Sequence, residues 1–209
     1  MRQAFGETPQ AFGETPQVLT EALQDGVNLA VWQRRLPVQI EDFARLLLSL
    51  NQPLGESRVI ELDDQHQLPD LNGLLGGYAD LEGQRAFLTD VAWLVSAYAC
   101  LLDARRVGLR LQALSSAMCP RFHVDHVPLR LLSTYAGPGS EWLEEGAIDR
   151  SQLAREQPAA SAVRQLGSGE VALLKGEKWL GNQGGGLVHR SPALLNGERR
   201  LILSLDWMA

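Results

Sequence analysis

The spacing of apolar residues changes period near Arg106, and the two halves of the chain predict different elements. In residues 41–50, Phe43, Leu46, Leu47 and Leu50 recur at helical spacing. Glu41 and Asp42 lie in the first turn, where the helix dipole favours negative charge, and Pro53 closes the segment. Residues 81–104 predict a longer helix with a wide apolar face of Phe87, Val91, Leu94, Val95, Tyr98, Leu101 and Leu102. Beyond Asp90 its remaining positions up to Leu102 are uncharged and mostly small, the pattern of a helix laid against a sheet. Around these, Thr20 is suited to cap a short helix ended by Gly26. Residues 27–32 and 58–62 read as strands, and the Gly-rich stretch 63–77 as loop.

Beyond Arg106 the period falls to 2. Val107, Leu109, Leu111 and Ala113 alternate with Gly108, Arg110 and Gln112, a half-buried strand. Further strands are expected at 121–124, 129–135, 171–174, 187–190 and 199–207, punctuated by Gly-rich turns such as Gly137-Pro-Gly139 and Gly184-Gly-Gly186. Helices followed by a run of short strands predict an α+β protein whose β part is a sandwich or closed barrel. Residues 144–165, polar and containing Pro158, are expected to form an insertion or lid. Residues 4–10 recur unchanged at 11–17. A repeat this short buries no face of its own, so 1–17 is expected to be a flexible leader. Residues 18–209 then form one domain, mainly helical over 18–106 and β over 107–209.

With 209 residues the chain is long enough to bury one full core. The net charge of −6 and the lack of a basic stripe exclude a general nucleic-acid binder. The longest charge-free apolar run, residues 91–102, is too short to cross a bilayer, and the N-terminus lacks the apolar core of a secretory signal. The expectation is a cytoplasmic protein without nucleic-acid or membrane partners. Cys100 and Cys119 make no disulfide framework. No phosphate loop, His-Glu-x-x-His helix or serine elbow is present.

The chemistry concentrates in Cys119-Pro-Arg-Phe-His123-Val-Asp125-His126 and in Gly186-Leu-Val-His189-Arg-Ser-Pro192. Alternation places His123 and Asp125 on one side of a strand, and His189 arrives from a much later one. Two imidazoles and a carboxylate, with open positions opposite, suit non-haem Fe(II). Arg199 and Arg200 begin the last strand, where a fixed guanidinium is suited to grip a carboxylate through two parallel hydrogen bonds. Alternation sets them on opposite faces, so they are not interchangeable. His126 points away from His123 and is expected to be structural or superficial. Cys119 fits either a Cys/His zinc site or, the blander reading, a buried inert thiol. Arg130, within an apolar strand, needs a partner, an internal acid or a substrate carboxylate. Trp142 and Trp179 line a pocket mouth or simply pack. His66, in an acidic loop, is expected to be solvated.

His-Val-Asp, the distal His in Val-His-Arg-Ser-Pro, and Gly197-Glu-Arg199 opening a final strand resemble the Fe(II)/2-oxoglutarate-dependent oxygenases. Gly169-Glu-Val-Ala-Leu-Leu-Lys-Gly176 is similar to the strand that precedes the distal His there. His123-Val-Asp-His-Val-Pro-Leu-Arg130 with Tyr135-x-Gly-Pro-Gly-x-Glu-Trp142 more closely resembles a bacterial family of unknown function, often encoded among zinc-regulated genes. The resemblance implies a double-stranded β-helix (jelly-roll or cupin-like) core with N-terminal packing helices. It implies His123, Asp125 and His189 as metal ligands and Arg199 as the clamp for 2-oxoglutarate, while Tyr135 is either a further contact to the cosubstrate or, the blander reading, a core tyrosine with its hydroxyl satisfied. One position departs from the pattern: many of those oxygenases carry a hydroxyl residue two after the clamp, where this chain has Leu201. The implied activity is a hydroxylase-type dioxygenase with Fe(II) and 2-oxoglutarate as cofactors and an unknown small-molecule or protein substrate. The alternatives are a non-catalytic zinc-binding protein of metal homeostasis and a scaffold that binds partners through 144–165.

Overall fold

The final strand, β10 (Arg200–Trp207), divides the molecule. Leu201, Leu203 and Leu205 are fully buried on one of its faces, and Arg200, Ile202, Ser204 and Asp206 alternate onto the other. The computed structural model describes residues 10–62, 68–153 and 157–208. Within these, β10 lies in a seven-stranded sheet formed with β1 (Gln10–Gly13), β2 (Leu29–Trp32), β3 (Leu54–Glu61), β4 (Arg106–Leu114), β5 (Leu129–Ala136) and β8 (Val171–Lys175). Their order is β1-β2-β8-β5-β10-β4-β3. Only the β1–β2 pairing is parallel.

Two helices, α1 (Val38–Ser49) and α2 (Gln84–Leu102), cover the leucine face of this sheet. Phe43 and Leu47 of α1 and Phe87, Val91, Leu94, Val95 and Tyr98 of α2 share one core with Leu109, Leu111, Leu131 and the three β10 leucines. Each fully buried leucine or phenylalanine contributes roughly 1.5–3 kcal/mol of apolar transfer, so this layer dominates stability. α2 is 19 residues long, enough by length and apolar composition to cross a bilayer. The helix expected over 81–104 is thus present, starting three residues later and ending two residues earlier. In the fold, its most apolar face is core.

A smaller sheet of β7 (Val163–Gln165), β6 (Glu141–Leu143) and β9 (His189–Arg190) faces the other side. An isolated bridge between His123 and His189 extends it. Between the sheets lies a second apolar cluster, with Leu29, Val31, Leu132, Ala172, Leu174 and Ile202 from the large one and Trp142 from the small one. The molecule is thus a mixed α+β fold of helices, large sheet and small sheet.

Three expectations need correction. Residues 10–17 are not a flexible leader: Gln10–Gly13 is an edge strand, and Pro16–Leu23 is a 3-10 helix that includes the end of the second repeat. Phe12 packs against Trp142 at 6.0 Å between ring centroids, which ties the repeat to the inter-sheet cluster. Residues 144–165 are not simply an insertion, because Val163–Gln165 pairs with β6 as part of the small sheet. Residues 121–124 form one bridge rather than a strand.

Candidate metal centre

The small sheet brings His123, Asp125 and His189 together. His123 and His189 exchange both backbone hydrogen bonds at 3.0 Å, and Asp125 O accepts from Glu177 N at 2.9 Å. Glycines permit this close approach. A Cβ on Gly176 would stand 2.1 Å from Val127 O, and one on Gly186 2.3 Å from a Val124 methyl, separations at which something must shift. The chain just beyond β8 must therefore be bare where the 124–127 loop crosses it.

One ligand atom from each of the three side chains falls within 4.8 Å of the others. Asp125 Oδ1 is 3.7 Å from His123 Nε2, and Oδ2 is 3.4 Å from His189 Nε2. The Nδ1 atoms lie against backbone carbonyls, Arg121 O at 2.9 Å for His123 and Leu187 O at 3.1 Å for His189. A carbonyl only accepts, so each Nδ1 carries a proton and each Nε2 turns inward toward Asp125, the ring atom left to bind a cation. Burial lowers the His123 pKa, helped by the neighbouring His189, so the ring favours its neutral, ligating form. Burial alone would raise the Asp125 carboxyl. Hydrogen bonding and charge from His189, with Arg130 and His123 adding, bring it instead to about 2. The group is an anion at any physiological pH. Arg130 fixes its orientation: Nη1 donates to Asp125 Oδ2 at 2.7 Å, and Nε and Nη2 grip Asp206 at 2.7 and 3.1 Å.

A second polar group faces the same inter-sheet space. Arg200 is 1% exposed, and its Nη2 donates to Ser140 Oγ at 3.1 Å and Thr134 Oγ1 at 3.4 Å. Its Nε and Nη1 are buried without a hydrogen-bond partner among the described residues. Burial with no compensating carboxylate pushes its pKa down to about 10. Arg200 is two residues from Ile202, and His189 is two from Leu187 and opposite Trp142. Ile202, Leu187 and Trp142 belong to one cluster, so triad and guanidinium flank the same apolar space.

Residues 13–206 match the family described as Protein of unknown function (DUF1826). The chain belongs to that family. No curated protein matches the sequence. Among solved structures, the fold is similar to that of Arabidopsis thaliana DAO1, a dioxygenase for auxin oxidation, in its 2-oxoglutarate binary complex. There the identity is 9% and the TM-score 0.56, over 97% of this chain and 93% of that one. It is also similar to the dioxygenase for auxin oxidation in rice, at 12% identity and TM-score 0.54, over 97% and 83% of the two chains. A putative oxygenase from Shewanella oneidensis matches at 10% identity and TM-score 0.51, over 95% and 88%. At such identities the likeness establishes a shared fold and no more.

The two residues expected to contact the cosubstrate lie elsewhere. Arg199 donates from Nη1 to Leu48 O at 2.9 Å and from Nη2 to Gln52 O at 3.0 Å, closing the C-terminal end of α1 on the helical side. It precedes the strand in phase with Leu201, Leu203 and Leu205, the helix-facing set. Tyr135 is also on that side. It packs on Phe87 and donates to Asp90 Oδ2 at 2.6 Å, within a network in which Arg34 grips the same carboxylate. Burial, with the Asp90 charge next, holds its hydroxyl well above the usual range. The sequence reading set Arg200 on the face opposite Arg199 without giving it this role, and it did not identify Thr134 and Ser140. The signal was present in the alternation: the three leucines of β10 are odd-numbered, so its even-numbered arginine faces away from the helices.

Other candidates are settled by their surroundings. Arg130 is answered by internal acids. His126 is exposed, as expected for a superficial role. Cys119 is exposed rather than buried, and its backbone exchanges hydrogen bonds with Ser191. Trp142 is buried between the sheets, and Trp179 lies under the Lys175 ammonium at 5.1 Å. His66 lies outside the described residues.

Proposed function

We propose that the protein is an Fe(II)- and 2-oxoglutarate-dependent oxygenase built on a double-stranded β-helix. The observation that carries this reading is a buried guanidinium with two orphaned donors across an apolar space from a His-Asp-His cluster. Two imidazole nitrogens and one carboxylate, with the rest of the sphere left open, suit Fe(II). His123, Asp125 and His189 would hold the metal. Arg200, with the Thr134 and Ser140 hydroxyls, would take the far carboxylate of 2-oxoglutarate, which supplies the negative charge that the buried guanidinium lacks. The hydroxyls come from β5 and from the residue before β6, so none is required two positions after the arginine. When bound, Fe(II) and 2-oxoglutarate supply the activation of dioxygen for oxidation of a C–H bond.

The chain's own part is positioning and exclusion of water. Leu187, Trp142, Ile202 and Leu132 form dry walls between the two polar groups. The carbonyls of Arg121 and Leu187 fix both imidazole tautomers, and Arg130 holds Asp125 from the side away from His123.

The test is anaerobic addition of 2-oxoglutarate to Fe(II)-loaded protein. The expected result is a weak visible charge-transfer band, absent in His189→Ala, and consumption of 2-oxoglutarate once oxygen is admitted. Zinc retained through purification, with no response to 2-oxoglutarate under any metal, would overturn the reading in favour of a non-catalytic zinc protein.

A further inference from the structure

Of the three candidate metal ligands, Asp125 is the least anchored by its backbone. His123 and His189 face each other across a bridge that exchanges both hydrogen bonds, whereas residues 124–128 form neither helix nor strand. The Asp125 carboxylate therefore takes its orientation from side chains. Its shortest side-chain contact among the described residues is with Arg130 Nη1, 2.7 Å from Oδ2, against 3.4 and 3.7 Å to the two imidazole nitrogens.

Arg130 is itself held from behind. It lies directly across from Asp206 in the β5–β10 register. Its Nε donates to Asp206 Oδ1 at 2.7 Å and its Nη2 to Oδ2 at 3.1 Å. Two parallel contacts fix the plane of the guanidinium and aim the remaining nitrogen, Nη1, at Asp125. Asp206 stands on firm ground, because β10 is paired on both sides, with β5 and with β4. Its neighbour in register on β4 is Gly108, which has no side chain, and Arg110 Nη2 reaches its Oδ2 at 2.5 Å from two residues along. The four charges Asp125, Arg130, Asp206 and Arg110 alternate in sign and sum to zero. Among the described residues, neutralising Asp206 would leave Asp125 as the one carboxylate in contact with Arg130. A cation would then have to compete with a tighter ion pair, and the guanidinium would lose its fixed plane.

We propose that Asp206 is a positioning residue for the metal centre. From the middle of the large sheet it holds Arg130, and Arg130 holds the loop-borne Asp125 carboxylate in the orientation that serves a metal. This rests on the reading of His123, Asp125 and His189 as ligands of a divalent cation. It does not depend on 2-oxoglutarate or on turnover.

The test is calorimetric titration of Co(II) into full-length, metal-free protein, with the visible spectrum of the Co(II) form and the metal-free thermal midpoint recorded beside it. Asp206→Asn is expected to bind Co(II) about tenfold or more weakly, the scale of losing a partner behind a ligand, and to shift the visible bands. Asp206→Glu keeps the charge but moves it by one methylene, and should recover part of the affinity. In an Arg130→Met background, Asp206→Asn should change the affinity by less than about twofold, because the link to Asp125 is already cut. A purely structural ion pair would instead lower the metal-free midpoint and leave affinity and spectrum of the folded protein at wild type. That result would overturn the proposal. So would an equal loss of affinity with and without Arg130, which would mean that the Asp206 charge acts through space. If His189→Ala abolishes Co(II) binding while Asp206→Asn does not, the metal centre stands and the proposal alone falls. If wild type and His189→Ala bind Co(II) equally, the metal centre itself fails and takes the proposal with it.

Discussion

Arg34 and Arg200 are both buried on the large sheet, on opposite faces, and their surroundings differ in kind. Arg34, on the helical side, is fully answered: Nη1 and Nη2 donate to Asp90 at 2.6 and 2.9 Å, and Nε donates to Gly169 O at 2.9 Å. Burial would lower its pKa, but the Asp90 and Tyr135 contacts more than reverse this and raise it. Arg200, between the sheets, meets two hydroxyls and no carboxylate, and its pKa falls. A buried charge costs several kcal/mol unless it is paired. The helical face satisfies that cost internally and is built for stability. The inner face leaves it open, which is the condition of a site that completes itself with an anionic ligand.

The contrast is sharpest in substitutions that remove each charge. Arg34→Met should lower the unfolding free energy by about 3–5 kcal/mol, because Asp90 would be left buried and unpaired. Urea denaturation measures this, and 2-oxoglutarate affinity of the folded fraction should stay at the wild-type value. Arg200→Met should do the reverse. Affinity for 2-oxoglutarate should fall about 100-fold, roughly 2.7 kcal/mol, as charge-assisted hydrogen bonds are lost. Its thermal midpoint without ligand should hold or rise, since an uncompensated buried charge is gone. Equal destabilisation by the two changes would erase the distinction between the faces.

Smaller changes refine it. Tyr135→Phe removes one donor to Asp90 and should cost about 1–2 kcal/mol of stability, with no effect on 2-oxoglutarate binding. Arg199→Ala unties the end of α1 from β10 and should cost about 0.5–1.5 kcal/mol, again without effect on the ligand. A Tyr135→Phe protein that bound 2-oxoglutarate several-fold more weakly would place the hydroxyl in the site after all.

The helices and central strands were legible because burial imposes a period. The apolar stripe of α2 and the alternation in β4 follow from one buried face each, whereas β5 and β10 are buried on both faces over most of their length and read as apolar runs. The His123, Asp125 and His189 cluster was legible for a similar reason: His-x-Asp puts two polar side chains on one side, and a histidine between glycines and Ser-Pro marks a constrained approach. The edges were not. Gln10–Gly13 and Val163–Gln165 are short, largely polar and recruited by partners distant in sequence, so neither carries a period of its own. The choice between Arg199 and Arg200 turned on which face of β10 the helices cover. Local sequence leaves that open until Leu201, Leu203 and Leu205 are recognised as the helix-facing set. Ser140 and Thr134 meet Arg200 only through the facing of the two sheets, a contact with no local signature.

The most direct test of this account is calorimetric titration of 2-oxoglutarate into anaerobic Fe(II)-loaded wild type, Arg200→Met and Arg199→Ala. Arg199→Ala should match the wild type, and Arg200→Met should bind about 100-fold more weakly. If Arg199→Ala loses the ligand while Arg200→Met keeps it, the cosubstrate lies on the other face of the sheet and the account is contradicted.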